Sequence, residues 1–179
     1  MHSITREIQI DMGHRVPDHL SKCRNIHGHR YVIQATLEGP IIGEGNEHGM
    51  VMDFGFIKED MMMAIDNPFD HGLCLWYQDQ MLKSFHGWKD RDRGRMSYTL
   101  GGTPTKVYVM EKVPTAENLA ELWFYLLNAQ FEKRGQPYYN LLKRIRVYET
   151  PNCWADYVHH DEYDPMDDMD REMTPQGDE

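Results

Sequence analysis

Apolar and polar residues alternate over Arg6–Met12, with Ile8 and Ile10 on one face. A period of two is the signature of a half-buried strand. Ile26–Glu38 reads as a second strand on which Ile33, Ala35 and Leu37 share a face. The turn-rich stretch that follows holds Gly39, Pro40, Gly43, Gly45 and Gly49. The period then lengthens. Phe54, Ile57, Met61 and Ile65 recur at helical spacing behind Asp53, a good N-cap. Asn67-Pro68 is expected to end that helix. Met61, Met62 and Met63 read as adaptable packing.

Residues 78–104 mix charges with Gly87, Gly94, Gly101, Gly102 and Pro104. They read as an excursion that orders against another subunit. Lys106–Met110 fits a short strand. Thr115 then caps the clearest helix, with Leu119, Leu122, Trp123, Leu126 and Leu127 as its stripe and Gly135 at its far end. Lys143–Glu149 and Cys153–Val158 read as two strands turned at Pro151-Asn152. Strand, strand, helix, helix, strand, strand predicts an α+β domain with a four-stranded antiparallel sheet and two helices on one face.

Charge divides the chain. The net charge is −10, and residues 161–179 carry nine acidic groups against Arg171 alone. Residues 1–160 form one near-neutral domain, and 161–179 an acidic tail expected to be disordered. The body has no basic stripe, which argues against a nucleic-acid partner. No apolar run approaches a membrane span, and Met1–Ile10 lacks the pattern of a signal peptide. Cys23, Cys74 and Cys153 form no disulfide framework. A cytoplasmic protein with reduced thiols is expected.

Chemistry concentrates near the second strand. His27 and His29 lie two apart on an extended strand and point to one face. His14, from the neighbouring strand, can complete a set of three imidazoles. Three such ligands with one open position suit a catalytic zinc. Cys23 lies four residues before His27, beside a cation that favours its thiolate. Asp70-His71 can serve as a proton shuttle, although an exposed turn would carry the same dipeptide. Glu149 shares parity with Ile145 and Val147 and should face inward. A buried carboxylate needs a partner: an arginine, or a heterocycle presenting two parallel N–H donors. Glu117 suits the first turn of its helix on electrostatic grounds alone.

The series is His14, Cys23-x₃-His27-Gly28-His29, Met52-Asp53-Phe54-Gly55, Asp70-His71, Pro114-Thr115-Ala116-Glu117-Asn118-Leu119-Ala120 and Tyr148-Glu149-Thr150. In that order it resembles the 6-pyruvoyl-tetrahydropterin synthase superfamily, over about residues 4–158. The short spacing between Cys23 and His27 is similar to the 6-carboxy-5,6,7,8-tetrahydropterin synthase branch of 7-deazaguanine (queuosine) biosynthesis.

The resemblance implies the tunnelling fold, with sheets of several subunits closing into a barrel, commonly in a hexamer with sites between subunits. It implies Zn²⁺ on His14, His27 and His29, with Cys23 as base and Asp70 and His71 as its relay. Glu149 would anchor the pterin of a dihydroneopterin triphosphate substrate, with Thr115 and Glu117 framing the pocket. The implied products are 6-carboxytetrahydropterin, acetaldehyde and triphosphate. The alternatives are a 6-pyruvoyltetrahydropterin synthase, a non-catalytic pterin- or zinc-binding module, and a metal-free aldolase or epimerase on the same fold. Residues 72–113 exceed the length found in compact members of the family.

Overall fold

The computed structural model describes residues 1–89 and 96–159. The acidic tail therefore lies outside the described residues. Strand β1 (His2–His14) and strand β2 (His27–Gly39) pair antiparallel along their whole length, from His2 opposite Gly39 to His14 opposite His27. Helix α1 (Phe54–Met61) follows, capped by Asp53, whose carboxylate accepts from the Gly55 amide at 2.5 Å. The helix does not stop before Asn67-Pro68. A wider π-helical stretch, Met62–Asp66, leads into a last turn, α2 (Asn67–Phe69), where Pro68 sits at its first positions. A proline is tolerated there because the first amides of a helical turn have no partner within it.

Strand β3 (Gly72–Trp76) and strand β7 (Val107–Met110) flank a small three-stranded sheet of β4 (His86–Lys89), β5 (Met96–Leu100) and β6 (Thr103–Thr105). Helix α3 (Ala116–Arg134) precedes β8 (Leu142–Thr150) and β9 (Cys153–Val158). The main sheet has the order β7-β3-β1-β2-β8-β9.

The expected four-stranded antiparallel sheet is thus the centre and one flank of a six-stranded mixed sheet. Strand β3 joins β1 in parallel, and β7 joins β3 in parallel. Strand β2 and the helices lie between β1 and β3, and the β4–β6 segment lies between β3 and β7; parallel neighbours need such long connections. Leu73-Cys74-Leu75 is a short apolar run without alternation, so its period did not announce a strand. Residues 86–89 and 96–105 also order differently from expectation. They pair with one another in β4, β5 and β6, and need no second subunit to form strands.

One face of the sheet carries the core. Ile8, Ile10 and Met12 of β1, Tyr31, Ile33, Ala35 and Leu37 of β2, and Ile145 and Val147 of β8 are buried under the helices. A register shift at Thr36/Leu37 sets Leu37 opposite Leu142, so Leu142 and Ile145 both face inward despite their odd separation. Helix α3 contributes Leu119, Ala120, Trp123, Phe124, Leu127 and Phe131, while Leu122 and Leu126 pack at its margin. Met61 is buried and Met62 packs against the core, whereas Met63 is half exposed. Arg134 joins the helices through Asp60, with Nε donating to Oδ2 at 2.5 Å and Nη2 to Oδ1 at 3.0 Å.

Candidate metal centre and proton relay

The register of β1 and β2 assembles the histidines. His14 lies directly opposite His27, and both point to the core-bearing face. His29 is one pleat further along β2 on the same face. One ligand atom from each of the three lies within 4.8 Å of the others. His14 is buried, and His27 and His29 are partly covered.

Two backbone carbonyls decide which ring nitrogens are free. Nδ1 of His14 donates to the carbonyl of Pro114 at 2.7 Å, and Nδ1 of His27 donates to the carbonyl of Asn25 at 2.9 Å. A carbonyl only accepts, so each Nδ1 carries a proton, and in the neutral ring that tautomer leaves the lone pair on Nε2. Nε2 of His14 is buried with no hydrogen-bond partner. Burial also lowers the pKa of His14 and of His29, which favours the neutral rings that a metal requires. An orphaned lone pair among three converging imidazoles fits a divalent cation. Fixing one nitrogen through the proton on the other is how proteins orient metal-binding histidines.

Glu149 faces the same cluster. Its Oε1 lies 3.3 Å from Nε2 of His14 and 3.8 Å from Nε2 of His29. The Tyr31 hydroxyl donates to that oxygen at 3.5 Å. Burial pushes the Tyr31 phenol far up, and the charge of Glu149 adds to the shift, so this hydroxyl remains a donor.

Asp70 and His71 lie just beyond α2. Nδ1 of His71 donates to Oδ2 of Asp70 at 2.6 Å, which leaves Nε2 to exchange protons. The pair is pinned to β1. The Asp11 amide donates to Oδ1 of Asp70 at 2.9 Å, and the Asp11 carbonyl accepts the His71 amide at 2.7 Å. His71 adopts φ +53°, the left-handed conformation that side chains other than glycine and asparagine rarely take. Burial raises the Asp70 pKa, but the Asp11 amide, the His71 ring and Lys106 outweigh it, and the carboxyl lies below its ordinary value.

A shallow surface depression of about 410 Å³ is lined by Asp11, Met12, Gly13, Gly28, His29, Arg30, His71 and Gly72. Gly28 is the close-approach point of its rim: a Cβ there would lie 3.1 Å from the Met12 carbonyl oxygen.

Cys23 occupies a short turn, Lys22–Arg24, in the loop between β1 and β2, and is partly buried. Its carbonyl accepts from the Val16 amide at 2.9 Å, which ties the loop back toward His14. Thr115 caps α3 by accepting from the Asn118 amide at 3.4 Å, so its hydroxyl is engaged beside Pro114. Glu117 is exposed in the first turn of that helix. The carbonyls of Pro114 and Asn25, the backbone of Asp11 and the Tyr31 hydroxyl had no signal in the sequence, because main-chain groups are present at every position.

The family model described as 6-pyruvoyl tetrahydropterin synthase matches residues 3–160. A 6-carboxy-5,6,7,8-tetrahydropterin synthase of Rickettsia felis is 37% identical over 154 residues, spanning 85% of this chain and 96% of its own. Among solved structures, an uncharacterised protein of Wolinella succinogenes superposes with a TM-score of 0.66 at 19% identity, covering 89% of this chain and 98% of that one. The Caenorhabditis elegans 6-pyruvoyl tetrahydropterin synthase superposes with a TM-score of 0.57 at 23% identity, covering 89% and 96%. Fold and histidine cluster define a metal-dependent enzyme of the lyase type on a tunnelling fold. The chain belongs to the 6-pyruvoyl tetrahydropterin synthase family, and its sequence likeness is to the 6-carboxy-5,6,7,8-tetrahydropterin synthase branch.

Proposed function

We propose that this protein is a zinc-dependent 6-carboxy-5,6,7,8-tetrahydropterin synthase. It converts 7,8-dihydroneopterin triphosphate and water to 6-carboxytetrahydropterin, acetaldehyde and triphosphate, and serves 7-deazaguanine synthesis in the cytoplasm. The observation that carries this reading is the convergence of His14, His27 and His29, whose ligand atoms lie within 4.8 Å of one another beside Glu149.

His14, His27 and His29 would hold the ion. Bound zinc supplies Lewis acidity, drawing charge from the substrate's side-chain oxygens and acidifying their neighbours. The Cys23 thiolate is the base that takes a proton from the side chain. Asp70 holds His71 in the tautomer that leaves Nε2 free to pass protons on. Glu149 receives the pterin's 2-amino and N3 hydrogens through its two oxygens. Thr115 and Glu117 stand at the rim of that pocket. In the assembly, β9, one of the two edge strands of the main sheet, meets a neighbouring subunit. The sheets of neighbouring subunits close into barrels, and two trimers make a hexamer with sites between subunits.

The test is one incubation of zinc-loaded protein with 7,8-dihydroneopterin triphosphate, read by mass spectrometry for the pterin and by a coupled assay for acetaldehyde. The carboxy product with acetaldehyde is expected. A pyruvoyl product without acetaldehyde would move the enzyme to the other branch of the family. No reaction with zinc bound would favour a pterin-binding module.

A further inference from the structure

Asp79, on the segment that leaves β3, has a side chain shut off from solvent. Burying a carboxylate is costly unless a cation and hydrogen bonds meet it. Its Oδ1 accepts from the Met81 amide at 2.8 Å, which caps the short turn Gln80–Ser84. Its Oδ2 faces Nε of Arg15 at 3.0 Å. Both of those atoms are buried, and neither makes an aligned hydrogen bond to any described residue, so each has the other as its ionic partner. The segment around Asp79 is a firm base. The Asp79 amide donates to the Trp76 carbonyl at 2.9 Å, and the Tyr77 amide to the Met110 carbonyl at 2.9 Å. The Trp76 indole donates to the Glu111 carbonyl at 2.9 Å. Arg15 is the first residue beyond β1. The next residue, Val16, donates its amide to the Cys23 carbonyl at 2.9 Å. One line of contacts thus runs from β7 through Asp79 and Arg15 to the turn that carries Cys23.

We propose that Arg15 and Asp79 are positioning residues for the Cys23 thiol, holding the start of its loop against the β7–β3 end of the sheet. This rests on Cys23 as the base of the reaction proposed above. The loop from Arg15 to Ile26 has little structure of its own: a three-residue turn, Lys22–Arg24, with no buried side chain. Such a segment takes its position from the anchors at its ends. A guanidinium on a buried carboxylate is a firm anchor, because losing either partner leaves the other charge uncompensated. Placement matters for a group that must meet a reacting atom: a displacement of about 1 Å can cost about 10²-fold in rate. His14 precedes Arg15 in the chain, but its ring is fixed separately by the Pro114 carbonyl. Loss of the ion pair therefore reaches the thiol and leaves the metal ligands supported.

The test compares the zinc-loaded, full-length wild type with Arg15→Lys, Arg15→Ala and the double variant Arg15→Ala/Asp79→Asn. The double variant removes the orphaned charge, so it folds where Arg15→Ala does not, and circular dichroism checks each protein. With 7,8-dihydroneopterin triphosphate, kcat of the double variant should fall roughly 10²-fold while KM stays close to wild type, the split expected when a reacting group is misplaced. Arg15→Lys, whose ammonium can still meet Oδ2 of Asp79, should recover most of that loss. Iodoacetamide labelling, resolved by peptide mass, should find Cys23 alkylated several-fold faster in the double variant, because its loop is no longer held down. Cys153, exposed in every variant, serves as the internal control and should be unchanged. Zinc per chain should match wild type. A folded double variant with wild-type kcat and wild-type Cys23 labelling would overturn the proposal and leave the pair a support of the fold alone. Zinc lost in step with kcat would overturn it too, by placing the effect at His14. A wild type without turnover would overturn the reaction assigned above. The labelling needs no substrate, so equal Cys23 rates in wild type and double variant would overturn the tether by themselves.

Discussion

Pro114 accepts the Nδ1 proton of His14 across 2.7 Å, and this bond ties the entry of α3 to the metal site. It fixes which nitrogen faces the cluster. It also satisfies one end of an imidazole that is almost wholly buried. Replacing His14 by alanine should abolish stoichiometric metal binding, measured by elemental analysis after dialysis. It should also lower stability by about 1–3 kcal/mol, because the Pro114 carbonyl loses its partner in a buried place. Retention of about one zinc per chain would show that the other ligands suffice.

Cys23 lies in its own turn between β1 and β2 and is not one of the three clustered ligand residues. Cys23→Ala should therefore keep zinc but lose turnover by roughly 10²-fold or more, the scale of a missing general base. Metal analysis and product formation on one preparation check both halves. Full activity would remove the assigned base.

Asp70 gives the molecule an acid-sensitive anchor. Its folded pKa lies below the ordinary 3.8, because the Asp11 amide, His71 and Lys106 together outweigh its burial. A depressed carboxylate stabilises the fold above its unfolded pKa, and that contribution is lost as pH falls through the folded one. Asp11, held down by Arg30, and Asp156, held down by Arg146, act with the same sign. Stability should thus decline on going below about pH 4. Asp70→Asn should make that decline shallower, measured as the denaturant midpoint between about pH 3 and pH 6. An unchanged acid limb would show that the Asp70 contacts do not persist in solution.

The metal set was legible in the sequence because period-two geometry is strict. His27 and His29 must share a face, and the β1–β2 register then brings His14 opposite His27. The inward direction of Glu149 was legible for the same reason, from Ile145 and Val147. Parity could not show what Glu149 would meet, since its neighbours lie on β1 and β2 and that pairing is tertiary. The parallel strands were not legible, because Leu73–Leu75 and Val107–Val109 are too short to display a period. The continuation of helix through Pro68 was hidden too. Local preference stops a helix there, and the wider π-helical stretch before it is set by packing.

Cys74 is the deeply buried thiol of the three described, lying opposite His14 in the β1–β3 register. Burial pushes its pKa up to about 12, and its sulfur donates toward Met110 Sδ at 3.5 Å. A thiol held in that form reacts slowly, since the thiolate is the nucleophile. The zinc-free native protein should yield two fast equivalents to an aromatic disulfide reagent, from Cys23 and Cys153, and a third only on unfolding. Three fast equivalents would mean that the β7–β3 end of the sheet opens readily.

Arg134 carries the last expectation. Asp60 lies on α1 with its side chain 2% exposed, and Arg134 at the end of α3 meets it with two parallel donors. The guanidinium also reaches Glu59 at 3.2 Å and lies over the Phe56 ring at 4.8 Å. Removing the arginine would leave the Asp60 carboxylate buried without its cation, and breaking a buried pair this way costs about 3–5 kcal/mol. Arg134 itself is 24% exposed, so water can partly replace it, and Arg134→Ala should cost about 2–3 kcal/mol. Asp60→Asn in the same background should recover part of that loss, because a neutral amide is cheaper to bury than an unpaired charge. Urea melts of the single and double variants measure both effects. The pair lies on α1 and the far end of α3, away from the histidine cluster, so zinc affinity should stay unchanged in every variant that folds. A fall in zinc affinity matching the fall in stability would show that the helices hold Pro114, and through it His14, in place.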